Sequence, residues 1–194
     1  LNPYFLNVNG GAEAKYLGNN KWASPNDYVF ENFNNLSRYW TKTVSVNNKV
    51  MLLSIIGNDS FGFSDIYVMF RKKDNLWAKP VNIGDIVNTK GTEMGVFLAA
   101  DDKTLFFSSN GHPGYGGRDI FKTTRLDDSW LKWSKPINLG KRVNINTDEN
   151  YFIVSGDGQN AYISATGLNA TSDLYYYKLD SVKENIVKNI KLIS

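Results

Sequence analysis

The sequence has no cysteine and a single histidine, His112. The lack of cysteine excludes disulfides, thiolate metal sites and a cysteine nucleophile, and one histidine cannot form a multi-histidine metal site. The longest apolar runs, VMLLSIIG and GVFLAA, are far shorter than the roughly 20 residues that a membrane-spanning helix needs. We therefore expect no transmembrane segment, no metal site and no cofactor.

A strong excess of one charge is also lacking. The 22 basic residues exceed the 19 acidic residues by only three, and both kinds are scattered along the chain. Nucleic-acid binding is not expected from such a surface, since it usually requires a clustered basic patch. Hydrophobic residues make up 42% and aromatic residues 14% of the chain, which favours a globular, all-β protein.

The sequence repeats itself with a period of 54 to 56 residues, and several separate landmarks share this period. An aspartate before an aromatic run recurs at intervals of 54, and a proline after a tryptophan recurs at intervals of 55 and 56. An asparagine and a glutamate each recur once after 56 residues. The landmarks are Asp65, Asp119 and Asp173; Pro25, Pro80 and Pro136; Asn88 and Asn144; Glu93 and Glu149.

Each period contains four short candidate strands separated by turn signals, without helical periodicity between them. This pattern predicts a β-propeller with blades of four antiparallel strands. We expect blades at 34–88, 89–144 and 145–194, preceded by a partial blade at 1–33. Because three and a half blades leave sheet edges open, the sequence predicts either a segment of a larger propeller or a small ring closed by its N-terminal strands.

The glycine-rich loop FFSSNGHPGYGGRDIF, residues 106–121, leads directly into a strand and does not follow the dinucleotide-binding spacing. We interpret it as a turn whose glycines supply positive φ angles, with His112 exposed on it. The repeated aspartates are expected to accept backbone N–H bonds in such loops. The tryptophans beside the prolines, namely Trp22, Trp77 and Trp133, are expected to pack between blades.

Five residues break the repeat pattern and belong to types that dominate binding hot spots. They form our candidate interaction surface: Tyr39, Trp40, Tyr115, Arg118 and Trp130. No catalytic residue is predicted.

The segments DDKTLFFSSNGHPGYGGRDIF and WSKPINLGKRVNINTDENYFIVSGDGQNAYIS resemble the TolB-like, WD-type propeller repeat of OmpA-family envelope proteins. The match falls on residues 102–109, 114–121 and 133–140. The resemblance implies a periplasmic, outer-membrane-associated location, envelope proteins as partners, and in some members a part in type IX secretion and gliding. Peptidoglycan binding and lipidation would belong to regions that this chain does not contain. The start at Leu1 is typical of a processed or trimmed product, so a removed export signal stays open.

Two functions follow as alternatives. The first is a non-enzymatic scaffold that presents loops and rigid faces to envelope proteins. The second is a carbohydrate-binding or glycosidase-like propeller with carboxylates gathered at its central channel, for which the acids to inspect are Glu93, Asp148 and Glu149. Convergence of unlike acids at one channel mouth would favour the enzyme, whereas structural copies in separate repeats would disfavour it.

Overall fold

A computed structural model describes residues 10–33, 35–37, 39–73, 75–166 and 171–179, together with the backbone of 190–192. Within these ranges all regular secondary structure is β-strand. The all-β prediction is therefore confirmed.

The strands are short and follow one another closely. The N-terminal strands are β1 (Gly10–Glu13), β2 (Tyr16–Gly18), β3 (Lys21–Trp22) and β4 (Asn26–Phe30). They are followed by β5 (Thr41–Val44), β6 (Val50–Ile55), β7 (Asp65–Lys73), β8 (Leu76–Trp77) and β9 (Val81–Asn82). The next group is β10 (Glu93–Leu98), β11 (Thr104–Ser109), β12 (Asp119–Thr124) and β13 (Ile137–Asn138). The last group is β14 (Asp148–Val154), β15 (Asn160–Thr166), β16 (Ser172–Leu179) and β17 (Ile190–Leu192).

These strands form three main sheets, which we call sheets I, II and III. Sheet I has the order β1-β4-β8-β7-β6-β5 with β9 also paired to β7, and its β4–β8 pair is parallel. Sheet II has the order β10-β11-β12-β13, and sheet III has the order β14-β15-β16-β17. Strands β2 and β3 form a separate two-stranded ribbon. Sheets II and III are antiparallel meanders, the arrangement that tight turns between consecutive strands produce.

The sheets pack face to face in chain order, and each interface is an apolar cluster. Between sheets I and II the cluster includes Val50, Leu52, Ile66, Val68, Leu105, Phe107 and Phe121. Between sheets II and III it includes Phe106, Ile120, Phe152, Ile163 and Tyr177. The remaining face of β6 and β7 packs against β4 and β8 through Met51, Leu53, Tyr67, Tyr28, Phe30 and Trp77. Alternation of side chains along each strand supplies both faces at once.

Two of the repeated aspartates stabilise the loops before their strands, as predicted. Asp65 and Asp119 are buried, and each carboxylate accepts two backbone N–H bonds. The donors are Phe61 and Gly62 for Asp65, and Tyr115 and Gly116 for Asp119. Asp173 is exposed, and residues 167–170 before it lie outside the described residues.

Buried asparagines connect each aspartate loop to the following turn. Asn144 is fully buried; its Oδ1 accepts the N–H of Ile120 at 2.7 Å, and its Nδ2 donates to the Ile120 carbonyl and to Asn138. Asn138 in turn donates to Asp119 at 2.7 Å. Asn88 makes the same contacts in sheet I, with Ile66 and Asn82 as partners. The repeat is thus a repeat of polar contacts as well as of strands.

The glycine-rich loop is a turn, but the prediction that its glycines supply positive φ angles is wrong. The described glycines with positive φ are Gly18, Gly84, Gly95, Gly140 and Gly158. The loop glycines are required instead by close approach. A Cβ on Gly114 would lie 2.1 Å from Asp119 Oδ2, and one on Gly116 would lie 2.4 Å from the Thr147 carbonyl.

His112 is not an exposed loop histidine. It is half-buried, its Nε2 lies 2.8 Å from the Val87 carbonyl, and its ring lies 5.1 Å from the ring of Phe121. A carbonyl only accepts, so Nε2 donates here. The expectation for Trp22 is also corrected. Trp77 and Trp133 are buried, but Trp22 is 64% exposed because the β2–β3 ribbon lies outside the three sheets.

Candidate functional site

Three of the five repeat-breaking residues, Tyr39, Trp40 and Arg118, line one cavity of about 610 Å³. Tyr39 and Trp40 lie directly before β5, whereas Arg118 lies directly before β12. The volume falls within the roughly 300–1,000 Å³ typical of small-ligand pockets. Residues that are distant in sequence thus meet at one concave surface.

The cavity forms where the first strands of the three repeats come together. Strand β10 contacts both β5 and β14, and each of these strands contributes a lining residue. The remaining described lining residues are Ser37, Thr41, Ser54, Ser64, Thr92, Met94 and Tyr151. Most of them lie at or beside strand ends, and Ser54 and Ser64 are buried.

Backbone links of the same kind join neighbouring sheets beside the cavity. The Glu93 N–H donates to the Ser64 carbonyl at 2.7 Å, and the Glu149 N–H donates to the Arg118 carbonyl at 2.8 Å. Ser54 Oγ donates to the Glu93 carbonyl at 2.5 Å, and Ser108 Oγ donates to the Glu149 carbonyl. Arg118 therefore occupies in the second repeat the position of Ser64 in the first.

Arg118 is held by Asp148 through both its backbone and its side chain. Its N–H donates to Asp148 Oδ1 at 2.8 Å, and its Nη2 donates to Asp148 Oδ2 at 3.1 Å. The side chain is 27% exposed, and its Nε is buried without a hydrogen-bond partner. A buried unpaired donor is costly, so the guanidinium has hydrogen-bonding capacity that the described contacts leave unused.

The acids Glu93 and Glu149 do not line the cavity. Both are almost fully buried, and they are structural copies in sheets II and III. Glu93 accepts bonds from the Thr89 N–H and hydroxyl and from the Ser109 hydroxyl. Burial raises the pKa of Glu93 against the effect of these bonds. Burial also raises the pKa of Glu149, to about 7, against the hydrogen bond that the Thr147 hydroxyl donates to Oε1.

The other two predicted interaction residues lie elsewhere. Tyr115 is 48% exposed on the glycine-rich loop, with Lys141 Nζ 5.6 Å from its ring centre. Trp130 is only 7% exposed and packs against Trp133 and the guanidinium of Arg125. The expectation of Trp130 as an interaction residue is therefore corrected, since its indole fills the core between sheets I and II.

Sequence reasoning missed Tyr151, which is 40% exposed and lines the cavity. Tyr151 pairs with Ser164, whereas Met94 pairs with the equivalent Ser108. Tyr151 lies 57 residues after Met94 because the pairing is irregular between Glu149 and Tyr151. A comparison at a fixed period of 56 hides this correspondence. The serines and threonines that line the cavity could not be identified from the sequence, because such residues are common at strand ends.

No helix in the described ranges is long and apolar enough to cross a membrane. Among the same residues, no group of three or more histidine, cysteine, aspartate or glutamate side chains is placed to hold a metal ion.

Comparisons with known proteins are sparse. No family model matches the chain, and no curated protein matches it. One similar solved structure is the crystal structure of an alpha-L-arabinofuranosidase from Lactobacillus brevis, with 11% sequence identity and a TM-score of 0.45. The similarity covers 81% of this chain and 57% of that one. A likeness at this level carries no argument about fold or function.

Proposed function

We propose that the chain is a non-enzymatic protein-binding module, built as part of a β-propeller, and that it binds its partner at the cavity. The supporting observation is the convergence of Tyr39, Trp40 and Arg118, which come from different repeats, on one concave surface. Aromatic residues and arginine in a partly enclosed site are typical of binding hot spots. Their position at the junction of the first strands gives them a rigid support.

The propeller proposal draws on the order and the faces of the sheets. Leu52, Phe106 and Tyr162 hold equivalent positions in β6, β11 and β15. The first two are buried by the following sheet, whereas Tyr162 is 40% exposed. On this proposal strands β5 to β9 of sheet I, sheet II and sheet III are the blades at 34–88, 89–144 and 145–194, and the outer face of sheet III accepts a further blade. The strands before β5 would belong to the partial blade at 1–33.

The enzymatic alternative is less well supported. Retaining and inverting glycosidases need two carboxyl groups on opposite sides of the scissile bond. Here Glu93 and Glu149 are buried copies, and Asp148 is paired with Arg118. A carbohydrate-binding role is the second candidate, because the cavity combines aromatic rings with hydroxyl groups. The envelope location, and a scaffold role in secretion or gliding, are proposed from the repeat resemblance alone.

Site-specific photo-crosslinking in the cells that produce the chain tests this proposal. A photoreactive residue at Thr92, which lines the cavity, is expected to give a few reproducible protein adducts. The matched control is Leu126, which is 63% exposed beyond the opposite end of β12. Protein adducts from Thr92 and not from Leu126 support a partner site at the cavity. An absence of protein adducts at Thr92, with glycan binding retained in vitro, would overturn the proposal in favour of the carbohydrate binder.

A further inference from the structure

The cavity has an uneven distribution of charge. Among the described residues that line it, Arg118 is the one charged side chain; the other nine are aromatic, hydroxyl-bearing or methionine. We infer that the cavity binds a carboxylate group of a partner's peptide segment, with Arg118 as its anchor. This inference rests on the proposed function, because it specifies the chemistry of the partner that the site takes.

The guanidinium of Arg118 has donors that its described contacts do not use. A guanidinium carries five N–H donors in a planar fork that matches the two oxygens of a carboxylate. Asp148 accepts one side-chain bond, at Nη2, and Nε is buried without a partner. The side chain is still 27% exposed. The protein therefore orients the guanidinium with one bond at Nη2; because Nε is buried, the donors left for an incoming anion are the remaining N–H groups of Nη1 and Nη2.

The cavity also contains neutral polar groups that can donate to a ligand. Thr41 Oγ1 accepts the Val96 N–H at 3.3 Å, so the hydroxyl hydrogen of Thr41 is available for an oxygen of the ligand. Ser54 donates to the Glu93 carbonyl and lies 2.7 Å from the Ser64 hydroxyl. None of the lining side chains that the structure describes carries a negative charge that would repel a carboxylate.

Aromatic residues form part of the cavity wall. Tyr39 is 73% exposed and Tyr151 is 40% exposed, and both residues line the cavity; Trp40 also lines it, while its ring packs edge-on against Phe30. Rings of this kind give a large contact area at a low cost in conformational entropy. They suit the backbone and the apolar side chains that flank an acidic residue or a chain terminus. The arrangement fits a short peptide segment of two or three residues rather than a broad protein face.

Substitution of Asp148 provides a test in which the affinity for an acidic ligand should rise instead of falling. Its carboxylate lies beside the proposed anchor, so it competes with an incoming carboxylate for Arg118. An Asp148→Asn variant keeps an Oδ1 that accepts the Arg118 backbone N–H and removes the negative charge. We expect this variant to bind acidic ligands more tightly. General damage to the site would weaken binding, so it cannot imitate this outcome.

The experiment uses matched pairs of capped tripeptides, followed by NMR titration through the Trp40 indole N–H. One pair is Ala-Asp-Ala against Ala-Asn-Ala, both with blocked ends; the other is acetylated Ala-Ala-Ala as free acid against its amide. A charged acceptor is expected to bind at least about tenfold more tightly than its amide. Tighter binding of the first acid identifies a side-chain carboxylate, and tighter binding of the second identifies a chain terminus.

Arg118→Gln is expected to abolish the difference between acid and amide, whereas Asp148→Asn is expected to enlarge it. Equal binding of acid and amide, or a difference that survives Arg118→Gln, would overturn the inference. If the Thr92 crosslinks to a protein persist in that case, the proposed function stands without it. Tighter binding of glucuronate than of either peptide acid, without protein adducts at Thr92, would overturn both.

Discussion

Glu149 lies opposite Ala165 across the β14–β15 pair, at the place where Glu93 lies opposite Ser109 in sheet II. Ser109 Oγ donates to Glu93 Oε1 at 2.6 Å, but Ala165 has no group to donate. Glu149 Oε2 is buried without a hydrogen-bond partner. Burial accordingly raises the pKa of Glu149 from its ordinary 4.5 to about 7.

This pKa gives the stability a defined dependence on pH. Below pH 4.5 the glutamate is protonated in both the folded and the unfolded chain. Between pH 4.5 and about 7 Glu149 is deprotonated in the unfolded chain but still protonated in the folded chain. The contribution of Glu149 to the free energy of unfolding therefore falls as pH rises through this range. Glu149→Gln is expected to remove this fall, as measured by urea unfolding at pH 4.5 to 8.

Ala165→Ser supplies the missing donor and tests the same relationship in the opposite direction. The new hydroxyl should lower the pKa of Glu149 and raise the free energy of unfolding at pH 8 by about 1 kcal/mol, with little change at pH 4. Ala161→Ser is the control, because Ala161 is buried in the apolar core of the same strand. It should destabilise the protein at both pH values. An equal gain at pH 4 and pH 8 for Ala165→Ser would refute this explanation.

The buried asparagines should be among the polar residues that matter most for stability. Asn144→Ala removes the acceptor of the Ile120 N–H and one of two donors to the Ile120 carbonyl, which keeps the Leu139 N–H at 3.1 Å. We expect a loss of about 2–4 kcal/mol in the free energy of unfolding, because a buried backbone N–H is left unpaired and a buried carbonyl loses one donor. Asn144→Asp keeps an acceptor for the N–H but places a carboxylate against two oxygens, so it should not restore stability. A loss below about 1 kcal/mol in urea unfolding would contradict the expectation.

Lysine substitutions at equivalent positions should distinguish a sheet face that is buried against its neighbour from the exposed outer face of sheet III. Ile120 pairs with Ser108 and is fully buried, whereas Leu174 pairs with the equivalent Ser164 and is 74% exposed. Ile120→Lys places an unpaired charge in the core and should cost more than about 4 kcal/mol or prevent folding. Leu174→Lys should change stability by less than about 0.5 kcal/mol. Urea unfolding compares the two variants, and similar losses would show that the outer face of sheet III is covered in solution.

Two glycine-to-alanine substitutions are expected to change the free energy of unfolding in opposite directions. A Cβ on Gly114 meets Asp119 Oδ2, whereas one on Gly156 meets nothing within 4 Å. Gly114→Ala must displace the carboxylate that stabilises its loop, so we expect a loss of about 1–3 kcal/mol. Gly156→Ala should be neutral or stabilise by up to about 1 kcal/mol, since it restricts only the unfolded chain. Thermal unfolding of both variants measures the signs, and a tolerated Gly114→Ala would refute the close-approach explanation.

The sequence predicted the all-β class and the roles of Asp65 and Asp119 because these follow from local patterns that recur. It also singled out Tyr39, Trp40 and Arg118 as residues that depart from the repeat; the structure brings them to one cavity, and their role in binding stays a prediction. The same criterion failed for Trp130, since a departure from the pattern can equally fill a core. The parallel β4–β8 pair in sheet I depends on long-range pairing, which no local pattern encodes.

The apolar clusters described for this chain join only sheets that are neighbours in the sequence. Most residues that contact each other in the core are therefore about one repeat or less apart in the sequence, so the entropic cost of loop closure stays small. Such a stack behaves nearly as a one-dimensional array, in which one sheet can form and then serve as the surface for the next. During synthesis, each repeat that leaves the ribosome would find its packing surface already in place.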